Sequence, residues 1–270
     1  MYISSPPQHP ALKPYIHSYH EFDSKQLLAN DNSKKLIPDG YIEVWFQFGT
    51  LAEISIDQVY YQMPKQFVWG QTESYSRVLV NGTNRIIAVR LYPWAARTLF
   101  KLPSVELSNC YIDLEDLNKD LSKCLEDALG QSHSFEQRRS VLEHYLLQLI
   151  TSLPPFYHPV VAQAFALIVQ HKGIVKVQDL ANHLKVSRQH LNRLVREEIG
   201  LSVKKLAMVI RIRACVDAQF ELPLASLTQL AHQFDFFDQS HFIRDFKWVT
   251  GTSPKDFFKQ KHLICWHMNL

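Results

Sequence analysis

From about Leu36 to Tyr92 the apolar positions recur with period two. Across residues 41–48, Ile42, Val44, Phe46 and Phe48 fall on one face, and Tyr41, Glu43, Trp45 and Gln47 on the other, the alternation of a half-buried strand. Ile54 with Ile56, and residues 67–69, 77–80 and 85–91, predict further strands. Asn81-Gly82 between the last two is a hairpin signal, because both residues tolerate positive φ. Pro38-Asp39-Gly40 marks another turn. Short strands at this spacing predict a small antiparallel barrel or sandwich. Beyond Tyr92 the period lengthens. Residues 114–129 have helical spacing and stop before Gly130, read as the left-handed residue past a helix end. Residues 134–152 form a better helix, with a Ser134/Gln137 capping box and a stripe of Val141, Leu142, Tyr145, Leu146, Leu149 and Ile150. Residues 153–159, LPPFYHP, break the pattern with three prolines and read as a domain boundary. All that follows is helical: residues 160–172, 177–184, 187–199, 202–219, 226–233 and 238–249, and a last helix from Pro254.

Composition narrows the classes. In 270 residues no apolar run is long enough for a membrane span. The start, MYISSPPQHP, lacks the pattern of a secretory signal. Cys110, Cys124, Cys215 and Cys265 form no close pair and read as free thiols in a reducing cytoplasm. The net charge of +3 is uninformative until it is divided at the proline-rich segment. Residues 1–153 carry 14 Lys/Arg and 17 Asp/Glu, a net −3, and residues 154–270 carry 15 and 9, a net +6. The surplus sits on the all-helical half, as in nucleic-acid binders.

The helical half repeats a short helix, a tight turn and a second helix. In the first unit Leu180, Ala181, Leu184, Val186, Leu191 and Leu194 pack the pair together, and Ser187 caps the second helix. Gln189, Asn192 and Arg193 then share one face, with Arg188 beside them. Gln and Asn can pair with adenine and Arg with guanine in the major groove, so this is a candidate recognition helix. In the second unit Leu227, Leu230, Ala231, Phe234, Phe236, Phe242 and Phe246 supply the core, Asp238 the cap, and Gln239, Ser240 and Arg244 the outward face. Lys204, His241 and Lys247 are candidates for phosphate contact. The helix of residues 202–219 between them spans roughly 27 Å, enough to set two recognition helices in adjacent major grooves, which repeat at roughly 34 Å.

The segments VQDLANHLKVSRQHLNRLVREEIGLS and LTQLAHQFDFFDQSHFIRDFKWVTGTSPKDFF resemble the DNA-binding domain of AraC-type (AraC/XylS family) transcriptional regulators. The resemblance runs from Val160 to Phe258 and is most specific from Phe236 to Phe246 and at Gly251, Ser253, Pro254 and Phe257. It implies a cytoplasmic regulator that reads double-stranded DNA, works with RNA polymerase, and uses the residues named above. Two departures stand out. Asp235 replaces the glycine usual before the turn aromatic, which predicts strain or a reshaped turn, and Phe257 stands where Tyr is commoner. PDGYIEVWFQFG, FVWGQ and RIIAVRLYPWAARTLF resemble the barrel-like, cupin-like sensor domain of a poorly characterised subfamily. The expected architecture is thus a two-domain α+β chain. Residues 1–152 form an antiparallel β-barrel sensor or dimerisation domain with flanking helices, 153–159 a linker, and 160–262 the DNA-binding domain of two helix-turn-helix units joined by a long helix.

Other chemistry is sparse. His17-x-x-His20 lacks a third ligand, and His262, Cys265 and His267 lie at the tail, so neither a metal nor a cofactor is expected. Trp45, Trp69, Tyr60, Tyr61, Tyr92 and Trp94 suit a barrel core or an effector pocket. Arg77, Arg85 and Arg90 suit an acidic ligand or edge-strand protection. Control through a small-molecule effector or a homodimer, the latter through residues 134–152, is the expectation. The rival reading is a cupin-like enzyme with a helical protein-interaction domain.

Overall fold

The computed structural model describes residues 2–23, 33–56, 59–151, 158–221 and 226–259. Among the described residues ten strands form two antiparallel sheets: β1 (Tyr2–Ser5), β2 (Ile16–Asp23), β3 (Ser33–Leu36), β4 (Ile42–Gly49), β5 (Glu53–Ile56), β6 (Val59–Gln62), β7 (Gln66–Trp69), β8 (Ser76–Leu79), β9 (Asn84–Leu91) and β10 (Tyr111–Asp113). One sheet has the order β1-β2-β9-β4-β7-β10 and the other β3-β8-β5-β6. Among the described residues no ladder joins them, so the expected closed barrel is two facing open sheets. Phe22, Trp45, Ile54, Met63, Phe67, Val78, Ile86 and Ala88 fill the space between.

β4 and β9 are buried on both faces. Ile42, Val44, Phe46, Ile87, Val89 and Leu91 point to the helices, while Trp45, Ile86 and Ala88 point to the second sheet. The half-buried strand expected at 41–48 is therefore a central one. Its buried Gln47 is satisfied, donating to Pro64 O (2.8 Å) and accepting from Ala52 N and Asn84 Nδ2 (2.9 Å each). The hairpin expected at Asn81-Gly82 does not form, because β8 pairs with β3 and β5 while β9 pairs with β2 and β4. The missed strand β2 occupies the edge of β9 that a hairpin partner would take. Gly82 (φ +138°) serves the crossing between sheets, where a Cβ would lie 2.5 Å from Thr50 Oγ1, and Asn81 is not left-handed.

The helices of the first half are α1 (Ala95–Phe100), α2 (Leu114–Leu117), α3 (Lys119–Gly130) and α4 (Phe135–Thr151). The single helix expected over 114–129 is broken at Asn118, which is extended (φ −159°) and whose Oδ1 caps α3 by accepting from Leu121 N at 3.0 Å. Gly130 remains inside α3, and Gln131 follows it in ordinary helical conformation, so it is not the terminating glycine. On α4 Ser134 accepts from Gln137 N as expected, but Gln137 reaches His133 N (2.7 Å), one residue earlier than a capping box requires. Leu142, Leu146 and Ile150 are buried within the chain's own core, together with Arg138, which holds Glu21 at 2.9 Å.

The second half comprises α5 (Pro159–Gln170), α6 (Val177–His183), α7 (Arg188–Ile199), α8 (Val203–Glu221), α9 (Leu227–Gln233), α10 (Gln239–Thr250) and α11 (Pro254–Lys259). Residues 153–157 of the expected linker lie outside the described residues, as does the tail with His262, Cys265 and His267. One apolar cluster runs from the first sheet through α5, α6 and α7 into α8. Phe165 on α5 stands edge-on to Tyr41 (5.3 Å between ring centres), Tyr92 (6.1 Å) and Trp94 (5.6 Å). Ile37, from the loop before β4, joins the separate core of α8 to α11.

The same interface closes on the ends of two helices. Gly200 and Gly251 terminate α7 and α10 with positive φ (89° and 75°). A Cβ on Gly200 would lie 2.5 Å from Ser108 Oγ, and one on Gly251 would lie 1.9 Å from the Tyr75 ring. Gly251→Ala should lose about 1–2 kcal/mol to backbone conformation and a further 1–3 kcal/mol, roughly, to overpacking. In a Tyr75→Ala background only the first loss should remain. Denaturant unfolding of the four proteins measures the difference, and an additive cycle would contradict the contact.

Candidate nucleic-acid interface

The α6/α7 and α9/α10 pairs are built alike. Each turns on a left-handed residue, Lys185 (φ 56°) in the first and Asp235 (φ 54°) in the second. Lys185 N donates to Asn182 O and Val186 N to Ala181 O; Asp235 N donates to His232 O and Phe236 N to Ala231 O, all at 3.0–3.1 Å. Asp235 thus adopts the conformation expected of the glycine it replaces. Ala181 and Ala231 are buried where the paired helices approach, and Leu191 with Leu194, and Phe242 with Phe246, fill the interiors. Phe257, without a hydroxyl, is buried edge-on to Phe246 at 5.2 Å. Ser187 caps α7 by accepting from His190 N (3.1 Å), and Asp238 caps α10 by accepting from His241 N (2.7 Å). Ser226 and Gln229 complete a capping box on α9. Counted from their caps, Arg193 and Arg244 occupy the same position. Between the pairs the 19 residues of α8 extend about 28 Å.

Most of the candidate side chains are brought to the surface. Arg188, Gln189 and Arg193 are exposed on α7, and Gln239, Ser240 and Arg244 on α10. Asn192 is half-buried, and its amide donates to Arg188 O (3.1 Å), so it needs a new rotamer to face outward. Both arginines rest on acids of their own helix. Arg193 donates to both oxygens of Glu197 at 2.9 Å, and Arg244 lies 3.5 Å from Asp245. The Arg193–Glu197 pair is exposed and one helical turn apart, a kind that contributes roughly 0.3–0.5 kcal/mol, so an incoming anion or base displaces it at little cost.

Lys204 and Lys247 are exposed, while His241 is half-buried with Nε2 3.1 Å from Asp245. Sequence reasoning missed Asp245 and Arg211. Asp245 also meets Arg211 at 3.9 Å, and the Arg211 guanidinium stands 4.1 Å above the Phe236 ring. Burial lowers the Arg211 pKa, partly offset by Asp245. The signal was an arginine inside the apolar run of α8. With Lys204, Lys205, Arg244 and Lys247, Arg211 lines an open basic groove of about 840 Å³ between α8 and α10. Arg196, exposed one turn beyond Asn192 and Arg193, was also missed.

The other candidates lie in the N-terminal half. His17 and His20 bracket Ser18 Oγ at 2.8 and 2.7 Å, with His20 buried, in a chain that ends on Tyr2 OH. Among the described residues no group of three or more His, Cys, Asp or Glu could hold a metal ion, and no helix is long and apolar enough to cross a membrane. Tyr60 and Tyr61 are exposed on β6, apart from Tyr92 and Trp94, whose stacked rings (4.9 Å) lie at the junction of the two halves. None of Arg77, Arg85 and Arg90 protects an edge, since β8 and β9 are interior strands. Arg90 is buried and paired with Asp39 at 2.7 Å.

Two family models match the chain. Residues 180–260 match a helix-turn-helix domain, and residues 5–113 a domain of unknown function, DUF6597. The Msm operon regulatory protein of Streptococcus mutans is 29% identical over 91 residues, 34% of this chain and 32% of that protein. The match thus spans about a third of that relative's length. ToxT of Vibrio cholerae O395 aligns over 90% of this chain and 98% of its own, at 14% identity and a TM-score of 0.48. The C-terminal domain of AraT, a response regulator of Geobacillus stearothermophilus, aligns over 42% of this chain and 93% of its own, at 22% identity and a TM-score of 0.36. Residues 180–260 of this chain are thus a helix-turn-helix domain similar to those of AraC-type regulators. It is joined to an N-terminal region that shares its sequence family with a domain of unassigned role.

Lys35, on β3, ties the N-terminal half to the end of α10. Its Nζ donates to Thr252 Oγ1 (3.2 Å) and Thr250 O (3.4 Å) and lies 5.1 Å from the Tyr75 ring centre. Burial, with Arg77 nearby, pushes its pKa down to about 8 from the ordinary 10.5. Below pH 8 the folded and unfolded chains both hold the proton; between 8 and 10.5 only the unfolded chain does, so stability from this site rises with pH across that window. The melting temperature of the wild type relative to Lys35→Met should accordingly climb from about pH 8 to 10.5 and stay level below 8. A difference that is level throughout would contradict the buried placement.

Proposed function

We propose that the chain is a sequence-specific transcriptional regulator that reads two adjacent major-groove segments of double-stranded DNA with α7 and α10. One observation carries the reading. Two helix pairs of matching construction stand at the ends of a helix about 28 Å long, and both present an arginine at the same step from the N-cap. Arg188, Gln189, Asn192 and Arg193 read one segment, and Gln239, Ser240 and Arg244 the other. Lys204, His241 and Lys247 hold phosphates, which set register without carrying sequence information. The N-terminal half contacts the C-terminal ends of α7 and α10 and leaves their N-terminal ends exposed, as groove entry requires. It acts as a cupin-like sensor domain that controls the reader through a small-molecule effector or a homodimer. RNA polymerase is the further partner and the cytoplasm the place of action. The curated relative is named as a regulatory protein, which favours this reading over an enzyme.

Selection from genomic fragments with the intact chain should yield a bipartite site with half-sites about one helical turn apart. Arg193→Ala should relax preference in one half-site and Arg244→Ala in the other, each at about 1–3 kcal/mol for the lost base pair contact. Affinity should fall steeply with added salt. Unchanged site preference in both variants would remove the assigned reading faces, and salt-independent binding would remove the phosphate contacts.

A further inference from the structure

The two helix pairs differ by one residue. In the first, Val186 alone separates the left-handed Lys185 from the cap Ser187; in the second, Phe236 and Phe237 separate Asp235 from the cap Asp238. Phe236 takes the part of Val186: its N–H makes the equivalent bond to Ala231, and its ring is buried 5.1 Å from that of Phe242. Phe237 is the added residue, and it is 93 % exposed. A phenylalanine left in water forgoes roughly 1.5–3 kcal/mol of burial, which a contact made on binding would recover.

The surroundings narrow that contact. Asp235 and Asp238 flank Phe237 in sequence, and carboxylates near by disfavour a phosphate at this turn. His232, Gln233, Gln239 and Ser240, its near neighbours along the chain, are exposed and polar, unlike the contiguous apolar surface that marks a protein interface. Phe237 stands one residue before the cap of α10, at the end that the proposed function places in the major groove. The apolar feature a base edge offers there is the C5 methyl of thymine.

We propose that Phe237 is a specificity-determining residue that packs against a thymine methyl in the half-site read by α10. This rests on the DNA-binding reading above. It gives the second unit an apolar base contact for which the first, with Lys185, Val186 and Ser187, has no counterpart.

The test uses the intact chain. Site selection with the wild type and with Phe237→Ala identifies any position where only the wild type prefers thymine. That thymine is then replaced by deoxyuridine, which removes the methyl and leaves the pairing unchanged. The wild type should bind the deoxyuridine site about fourfold more weakly, the value of one buried methyl group, and Phe237→Ala should bind both sites equally. Its melting temperature should match the wild type, since the ring is exposed in the free chain. Identical site preferences for the two proteins, or an equal response of both to deoxyuridine, would overturn the proposal while leaving DNA binding in place. Loss of self-association without a change in DNA preference would overturn it in favour of a protein contact. Failure of the wild type to enrich any sequence would overturn the DNA-binding reading itself.

Discussion

The apolar seam between the first sheet and helices α5 and α8 governs the rest of the molecule. Phe165 packs against Tyr41, Tyr92 and Trp94, and Gly40 lets the loop before β4 approach α8, where a Cβ would lie 3.0 Å from Leu206. The loop is held from behind by the buried Asp39–Arg90 pair and by Gln71, which donates to Gly40 O at 2.6 Å. From this one loop Gly40 reaches the core shared with the first helix pair, and Ile37 reaches the core of the second. A burial of this kind, reinforced at Gly200 and Gly251, makes the relative position of α7 and α10 a property of the whole chain and not of residues 160–262 alone.

That arrangement couples the two halves mechanically. Closely packed interfaces change between discrete arrangements more readily than they deform. The seam joins the N-terminal half directly to the C-terminal ends of α7 and α10. Four polar ties follow the same line: Arg97 to Glu198, Ser108 to Gly200 O, Glu73 to Lys205, and Lys35 to Thr250 and Thr252. They join the halves at the rear of the outer helices, while the arginines facing outward rest on Glu197 and Asp245.

The helical half was legible because its signals are local. Caps at Ser187 and Asp238, small residues at Ala181 and Ala231, and apolar spacing on each helix depend only on near neighbours in the chain, and all appear where the pattern places them. The sheets were less legible for the same reason. Asn81-Gly82 signals a change of direction but not a partner, and its supposed hairpin gives way to a crossing because β2 already pairs with β9. The strand β2 itself was hidden by His17, Ser18 and His20, polar residues bonded to one another and to Tyr2, of which Ser18 and His20 are buried. Arg90 looked like a charge at an edge because its partner, Asp39, lies 51 residues away.

The sequence alone therefore determined the two kinds of secondary structure, the position of nearly every helix, and the side chains that α7 and α10 turn outward. Each of these follows from periodicity and capping within a few residues. Only the tertiary structure decided that the sheets stay open, that the expected boundary is crossed by a continuous core, that Arg193 and Arg244 rest on acids, and that the second turn leaves Phe237 in water. Those outcomes depend on which distant surfaces exclude water together, and a pattern along the chain carries no record of that choice.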